Sequence, residues 1–412
     1  MKLCIVGGGV SGCIAAIHAV QRGHQVQLLE ATDQLGGVMG DLIADGDHFF
    51  NGCHYLNDFA SWTHELRTIC SMSFQSFPHR YGSLTDLLDG PVAHHDFAQP
   101  VIRGKLPCLD GTSLQGTSLA ERLKSFGPSL GRRITEWSSR YAPPEVIPSS
   151  CAATLQLGRL YFPDDEAEVT RRKSLGGPED LILGLPRSKR QPRQAPELAW
   201  LPEQGYTVVF QQVASWLIEQ GAQVRINAPC VPRAGIGGRI NAICRNEAID
   251  ADHIIWCCNP TPLLLCAGTG RLDAPATRMI SLAADCTGDL DIEATYFQIF
   301  SAKSPLTRLF IYRLGSSHLK ATIEAFDEGA TPAQLILDSE DALSSFGIQL
   351  RMRARKLIRQ KRYLVPSLRD LDLFNSYSRQ SQRTCVHDGQ WAHYSKDEKV
   401  AGLQRVIDNL PT

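Results

Sequence analysis

The chain has no pair of cysteines spaced as CxxC. Its thirteen cysteines are odd in number and irregularly placed, with Cys257 and Cys258 adjacent in an apolar run. That argues against a disulfide framework and against a zinc site, and a reducing, cytoplasmic setting is expected. Long hydrophobic runs are missing as well. The longest candidate, Ile254 to Ala267, is broken by Asn259, Pro260 and Pro262, and it is too short to cross a bilayer. The apolar start, Leu3 to Val6, runs straight into glycines with no signal-peptide core or cleavage site behind it. Net charge is also scarce, at −1, so no global field draws the molecule to nucleic acid or to an anionic membrane. No P-loop, GxSxG or internal repeat occurs.

What is present is a chain of 412 residues, 43% apolar and 21% charged. That length exceeds the ceiling of roughly 250–300 residues for one hydrophobic core, so two domains are expected. Residues 2–6 read as a buried strand, Val10 to Arg22 as a helix stopped by Gly23, and Gln25 to Glu30 as a second strand. Cys4 and Cys13 fall inside this unit as small apolar side chains. Short helices, Leu119 to Phe126 and Ile134 to Tyr141, precede a basic, proline-containing loop from Arg171 to Pro196. A helix through Val209, Val213 and Trp216 ends at Gly221, and Gly235 to Gly238 turns a hairpin. Strands are expected within 294–325 and a helix from Pro332 to Ser345. The segment Arg351 to Arg362, with seven basic residues in twelve, reads as a solvated helix face.

The turn after the first strand is Gly7-Gly8-Gly9-Val10-Ser11-Gly12, which fills the GxGxxG positions with Gly7, Gly9 and Gly12. The first glycine makes the tight turn, the second admits a pyrophosphate, and the third lets helix and strand approach. The helix N-terminus, with Ser11 in its first turn, offers free N–H groups and a partial positive charge. Eighteen residues after Gly12, Glu30 ends the second strand, where an acid holds ribose hydroxyls.

Glu30 to Gly37 continues as an acid followed by the pair Gly36-Gly37. This resembles the extended signature of the amine oxidase, protoporphyrinogen oxidase and phytoene desaturase group and implies FAD as cofactor. Four further segments resemble one branch of that group, the UDP-galactopyranose mutases. Asn51-Gly52-Cys53-His54-Tyr55-Leu56 is similar to YGAHIF, whose histidine lies against the flavin. Pro202 to Thr207, with Tyr206, is similar to P-x-x-GYT. Pro305-Leu306-Thr307-Arg308 looks like P-Y-T-R, whose arginine pairs with a substrate diphosphate. Gly389 to Tyr394, containing Gln390 and Trp391, looks like the C-terminal G-R-L-x-x-Y. The departures are Gln390 for arginine, Lys396 for a second tyrosine, and Leu309 to Tyr312 in place of I-T-E-H-K. The mobile-loop arginine falls among Arg171, Arg172, Arg187, Arg190 and Arg193.

The expected fold is α/β, a Rossmann-type FAD-binding domain with an inserted substrate domain of mixed helices and antiparallel sheet. Residues 1–70, 203–268 and 366–412 would form the first, and 71–202 and 269–365 the second. The catalytic residues implied are His54, Arg308, Tyr206 and Tyr394. Gly7, Gly9, Ser11, Gly12, Glu30, Gly36, Gly37, Val231, Gln390 and Trp391 are assigned to the cofactor, and no metal is expected. The resemblance implies a redox-neutral mutase acting on a nucleotide-linked sugar through reduced flavin. The alternatives are an FAD oxidase or desaturase, and a non-catalytic flavin-containing partner protein. For Arg308 and Tyr312 a solvent-facing position is the competing reading. A small-molecule substrate is expected, with no nucleic acid and no membrane, and a homodimer is left open.

Overall fold

The structure is a computed structural model describing residues 1–52, 54–57, 60–79, 81–87, 92–95, 118–124, 128–160, 167, 171, 198–273, 276–291, 293–315, 318–393 and 395–411. Lys2–Val6 is a strand buried at Leu3, Cys4, Ile5 and Val6 alike, as a parallel strand covered on both faces requires. The glycine turn leads into helix Val10–Gln21, and the chain leaves it through Gly23, whose φ of +81° suits a residue without Cβ. Gln25–Leu29 then runs parallel to the first strand, with Leu3 opposite Val26. The completed sheet has five parallel strands in the order Gln223–Arg225, Gln25–Leu29, Lys2–Val6, His253–Trp256, Val386–Asp388. The expected α/β class with a Rossmann-type sheet is therefore the fold adopted.

Helices Tyr206–Glu219 and Lys396–Asp408 share a core with helix Val10–Gln21 through Val209, Val213, Leu217, Val400, Leu403 and Ile407. Asp41, from the hairpin of Asp41–Ala44 and Asp47–Phe50, reaches the start of helix Tyr206–Glu219. Its carboxylate accepts from the Tyr206 and Thr207 N–H groups at 3.0 and 2.9 Å, satisfying two donors that no helical carbonyl can reach. The approach is close: a Cβ on Gly205, at φ +87°, would stand 2.4 Å from Asp41 Oδ2.

A seven-stranded sheet forms the second layer, in the order Arg351–Leu364, Ala276–Thr287, Leu319–Phe326, Leu306–Tyr312, Ala294–Phe300, Tyr81–Thr85, Val92–His95. Its neighbours are antiparallel except for Ala294–Phe300 beside Tyr81–Thr85. One face packs on helix Pro332–Ser344, with Leu335 and Leu343 joining Leu282 and Ile323. The opposite face is apolar at both ends. Phe310 and Tyr312 meet Phe50 at ring distances of 6.3 and 4.7 Å, while Phe300 and Phe326 meet Trp137 and Tyr141 at 5.0 and 4.7 Å. Between these patches the register aligns a polar row, Ser281, Glu324, Arg308, Gln298 and Ser83, on five adjacent strands, all buried except the half-buried Arg308.

The basic segment is not a helix. Arg351–Leu364 is a 14-residue edge strand paired with Ala276–Thr287, a strand that the sequence reading passed over. The register slips at two places, leaving Arg355 and Arg362 as extra residues. A bulge of this kind bends a strand and re-aims the extra side chain. Arg355 turns to Asp285, Asp45 and Asp47, and Arg362 turns to Glu324 and His54.

Candidate functional site

Every chain segment leaving the carboxyl ends of the parallel strands helps form one cleft, where open α/β sheets hold their ligands. Gly7 follows the first strand, and its N–H donates to Leu29 O at 2.8 Å. A Cβ on Gly12 would stand 1.9 Å from Gly7 O, and one on Gly8 would stand 2.4 Å from the Leu35 side chain. Gly9 differs: a Cβ there meets nothing within 4 Å, so the turn is walled on its inner side and open at Gly9. The helix starts at Val10 with no side-chain cap, and its first N–H groups, near Ser11, are left for a ligand.

Glu30 closes one side of the cleft. Oε2 accepts from Gly8 N at 2.7 Å, and Oε1 accepts from Thr32 N and Oγ1 at 2.8 and 2.9 Å. Gly36 N donates to Gly8 O at 2.8 Å, which folds Gly36 and Gly37, both at positive φ, back onto the turn. Asn227 and Ala228 donate to the carbonyls of Thr32 and Glu30 at 2.7 and 2.8 Å. They carry the chain past Glu30 to Val231, whose side chain is exposed. On the other side Gly389 presses so close to Trp256 and Cys257 that a Cβ would fall 2.6 Å from Trp256 O. These features fit a dinucleotide: open space at the second glycine, an acid at the second strand end and unclaimed helix N–H groups.

Gln390 and Trp391 occupy this rim differently from expectation. Gln390 adopts φ +59°, its N–H donates to Asp388 Oδ1 at 2.7 Å, and its side chain lies against Gly402. Trp391 is buried and packs on Phe374 and Tyr377 at 5.6 and 5.9 Å, so it belongs to the core more than to an open flavin edge. Its Nε1 has no acceptor among the described residues.

A second set of residues gathers around Glu324, at the polar row of the large sheet. Arg308 Nη2 lies 2.6 Å from Glu324 Oε2, Arg362 Nη1 lies 3.3 Å from Oε1, and the Tyr363 hydroxyl donates to Oε2 at 3.3 Å. Arg362 Nη2 also donates to Asn51 O at 3.2 Å and stands 2.6 Å from His54 Nε2, which must then be the acceptor. Burial, with Lys396, Arg362 and Arg308 nearby, holds the His54 pKa well below its usual value, so the ring is neutral. Lys396, in the first turn of the last helix, is driven down to about 8 by burial and by repulsion from Arg362 and Arg308. Gly52 must be glycine here, because a Cβ would stand 2.1 Å from Arg362 Nη2 and 2.4 Å from Glu324 Oε1 at φ +102°.

The structure thus ties His54 and Arg308 into one network and corrects the solvent-facing reading of Arg308, whose guanidinium is engaged by the buried Glu324 carboxylate. Tyr312 is likewise interior, its hydroxyl accepting from Phe50 N at 3.0 Å. Tyr206 is fully buried 5.3 Å from Phe50, and its hydroxyl has no partner among the described residues. A phenol sealed in the core cannot touch substrate. Tyr394, Arg172, Arg187, Arg190 and Arg193 lie outside the described residues, while Arg171 is exposed. Arg362, Glu324 and Tyr363 were missed, and Lys396 stood out only as a departure from the resembled pattern. A lone acid in the apolar strand LKATIEAF was the one available signal for Glu324.

Residues 5–69 match the family of NAD(P)-binding Rossmann-like domains, in agreement with the cradle just described. The chain is 40% identical over 63 residues to a zeta-carotene desaturase of Synechocystis sp., a match covering 13% of this chain and 13% of that protein. A 4,4'-diapophytoene desaturase of Staphylococcus aureus is 38% identical over 52 residues, 13% of this chain and 10% of that one. The matches thus span only about an eighth or less of these curated relatives. Solved structures align over nearly the whole chain. A putative protoporphyrinogen oxidase from Exiguobacterium sp. 255-15 aligns with TM-score 0.63 and 16% identity, over 99% of this chain and 98% of that one. Reduced UDP-galactopyranose mutase aligns with TM-score 0.68 and 14% identity, over 99% and 93%. Putrescine oxidase bound to putrescine aligns with TM-score 0.61 and 12% identity, over 99% and 99%. The chain therefore shares the overall fold of the FAD-dependent amine-oxidase-like group.

Proposed function

We propose that the chain is an FAD-dependent oxidoreductase of this group. The observation that carries the reading is the cleft in which Gly9 alone of the turn faces open space, between Glu30 and the Gly36-Gly37 loop. The N–H groups at Val10 and Ser11 would take the pyrophosphate, with Gly7, Gly9 and Gly12 permitting its approach. Glu30 would exchange its bond to Gly8 for the ribose hydroxyls. Val231 would border the adenine, and Gly37 and the backbone at Gln390 would border the rest of the cofactor, with Trp391 packed behind them. Residues 1–70, 203–268 and 366–412 would form the cofactor-binding domain, and the remainder the substrate domain.

When bound, FAD supplies a two-electron acceptor for hydride. The chain's own part is to position substrate between the cradle and the polar row, to exclude water there, and to keep His54 neutral as an acceptor. Desaturases among the partial sequence relatives, and oxidases among the structures that share the whole fold, support hydride removal. The redox-neutral mutase reading keeps one specific support, the alignment with UDP-galactopyranose mutase. Against it, Arg308 is already paired with Glu324.

Electron bookkeeping separates the two. An oxidoreductase as isolated in air should be yellow, and a reducing substrate should bleach it anaerobically, with electrons passing to an acceptor when one is admitted. A mutase should turn over nucleotide-sugars only after dithionite reduction and with no acceptor consumed. Turnover confined to the reduced protein would overturn the oxidoreductase proposal.

A further inference from the structure

Two cysteines on the hairpin beside the cofactor cleft face each other directly. Cys230 opens strand Cys230–Ala234, Cys244 closes strand Ile240–Cys244, and the register sets one opposite the other. The turn fixes which kind of pair they form. Gly235 N donates to Arg239 O at 2.8 Å. Counting back by twos makes Val231 and Ile243 a hydrogen-bonded pair, and Cys230 and Cys244 a non-hydrogen-bonded one. Ile249 N donates to Ala242 O at 2.9 Å, which turns the alternate backbone groups of that strand toward its other neighbour and agrees with the count. In a non-hydrogen-bonded pair the Cα atoms stand about 4.5 Å apart, inside the range of about 4.4–6.8 Å that a disulfide spans. The two thiols lie within hydrogen-bonding reach of each other. Cys230 is half-buried, so a small solute reaches its sulfur, whereas Cys244 is buried.

We infer that Cys230 and Cys244 are a reversible oxidation site, which peroxide closes to a cross-strand disulfide that reshapes the adenine end of the cofactor cleft. Oxygen passes first to the half-exposed sulfur: the Cys230 thiol and hydrogen peroxide give a sulfenic acid and water. Cys244 then attacks that sulfur, and its proton leaves with the hydroxyl group as a second water. The two thiols lose two electrons, and the peroxide takes both. Arg225 Nη2 donates to Cys244 Sγ at 3.9 Å, placing a cation beside the attacking sulfur. Burial, and then Cys244 and Cys258, push the Cys230 thiol up to about 12 against the opposing pull of Arg225. Cys230 therefore stays protonated at neutral pH, and the dithiol is the resting state. A half-exposed bridge on a hairpin is of the labile kind that a dithiol reductant reopens.

The bond has a consequence for the cleft. It draws the two Cβ atoms to about 3.8 Å, closer than the roughly 4.5–5.5 Å of an open pair. It also takes Cys230 Sγ away from Ala228 O, its acceptor at 3.4 Å. Asn227 and Ala228 are the residues whose N–H groups hold the carbonyls of Thr32 and Glu30, and Val231 follows Cys230 directly. Oxidation therefore moves the wall on the Glu30 side, away from the shape that fits a dinucleotide. This consequence rests on the proposed FAD site, whereas the bond itself does not.

The test starts from purified protein reduced with dithiothreitol, desalted, and treated with hydrogen peroxide at mildly alkaline pH. Remaining thiols are capped with N-ethylmaleimide, and unreduced peptides are read by mass spectrometry. A peptide pair joining Cys230 to Cys244 should form in most chains, be absent from Cys230→Ser and from Cys244→Ala, and revert to thiols with dithiothreitol. FAD, titrated by its fluorescence, should bind the oxidised protein at least threefold more weakly than the reduced one. Cys230→Ser should keep its FAD affinity through the peroxide treatment. Cys230 linked instead to Cys4 or Cys258, Cys230 carried to sulfinic acid beside a free Cys244, or both thiols still capped after peroxide would overturn the site. A Cys230–Cys244 bridge with unaltered FAD affinity would overturn its coupling to the cleft. A protein that binds no FAD in either state would defeat the parent reading instead, and the peptide map would still decide the site.

Discussion

Two glycines, three and six positions beyond the strand end at Val6, carry opposite burdens. Gly12 cannot be anything else, because its Cβ would lie 1.9 Å from a backbone oxygen. Gly12→Ala should destabilise the fold by about 3 kcal/mol or more, in the range of severe overpacking. Gly9 has an ordinary φ of −66° and open space around it. Gly9→Val should leave the urea midpoint within about 0.5 kcal/mol of wild type for the cofactor-free protein while FAD content drops to background. A Gly9→Val protein with normal flavin occupancy would remove the cradle from consideration. The sequence made these roles legible because a strand, a turn and a helix only residues apart leave little freedom. It could not reveal Glu324, Arg362 and Lys396 as one cluster. They come from two strands and a helix, and nothing in local spacing connects residue 324 to residue 396.

Elements were legible where burial followed a single period. Ala294–Phe300 and Leu319–Phe326 fall where the sequence places them, and the Gly235–Gly238 turn joins Cys230–Ala234 to Ile240–Cys244 as a hairpin. Arg351–Leu364 was misread for a physical reason. Its two bulges interrupt the alternation of faces, and dense positive charge obscured the apolar positions Leu357 and Ile358, which face opposite sides of the sheet. Pairing of His253–Trp256 with Val386–Asp388 offers a quantitative check. His253 Nδ1 and His387 Nε2 lie 3.1 Å apart with stacked rings, so one donates to the other's lone pair. Burial, and then the neighbouring His253, lower His387 from 6.5 to about 4. A base with a folded pKa below its unfolded value binds fewer protons when folded. Its stabilising effect is therefore complete above pH 6.5 and is lost as the pH falls toward 4. In that window unfolding free energy should decline with a contribution from this ring of up to about 1.4 kcal/mol per pH unit. His387→Gln should make the decline correspondingly shallower in urea melts, and an unchanged slope would assign it to other groups.

At the scale of the molecule, the chain visits the parallel sheet four separate times, at residues 2–29, 223–225, 253–256 and 386–388. Between visits it builds the large sheet and its covering helices. The polar row, the glycine turn and the last helix are consequently held by segments distant in sequence, which is why the fold class was readable and the grouping of residues around Glu324 was not. Removing everything after residue 380 should do far more than delete a short strand. The last helix, with Val400, Leu403 and Ile407 in the shared core, would go with it. We expect such a chain to accumulate in the insoluble fraction, and recovery of soluble, flavin-containing protein would contradict this account of the core.

The late arrival of Val386–Asp388 also sets a schedule for synthesis. Its partner strand, ending at Trp256, emerges 132 residues before Asp388. At about 5–20 residues per second the ribosome needs about 7–26 s to bridge that gap. Throughout that interval the apolar strand HIIW presents an unpaired edge, the kind of template on which nascent chains aggregate. The cofactor cleft, whose rim includes Gly389, is unfinished for the same seconds. Nascent chains should therefore depend on a holding chaperone in this interval, and flavin capture should come only after nearly the whole chain has left the tunnel.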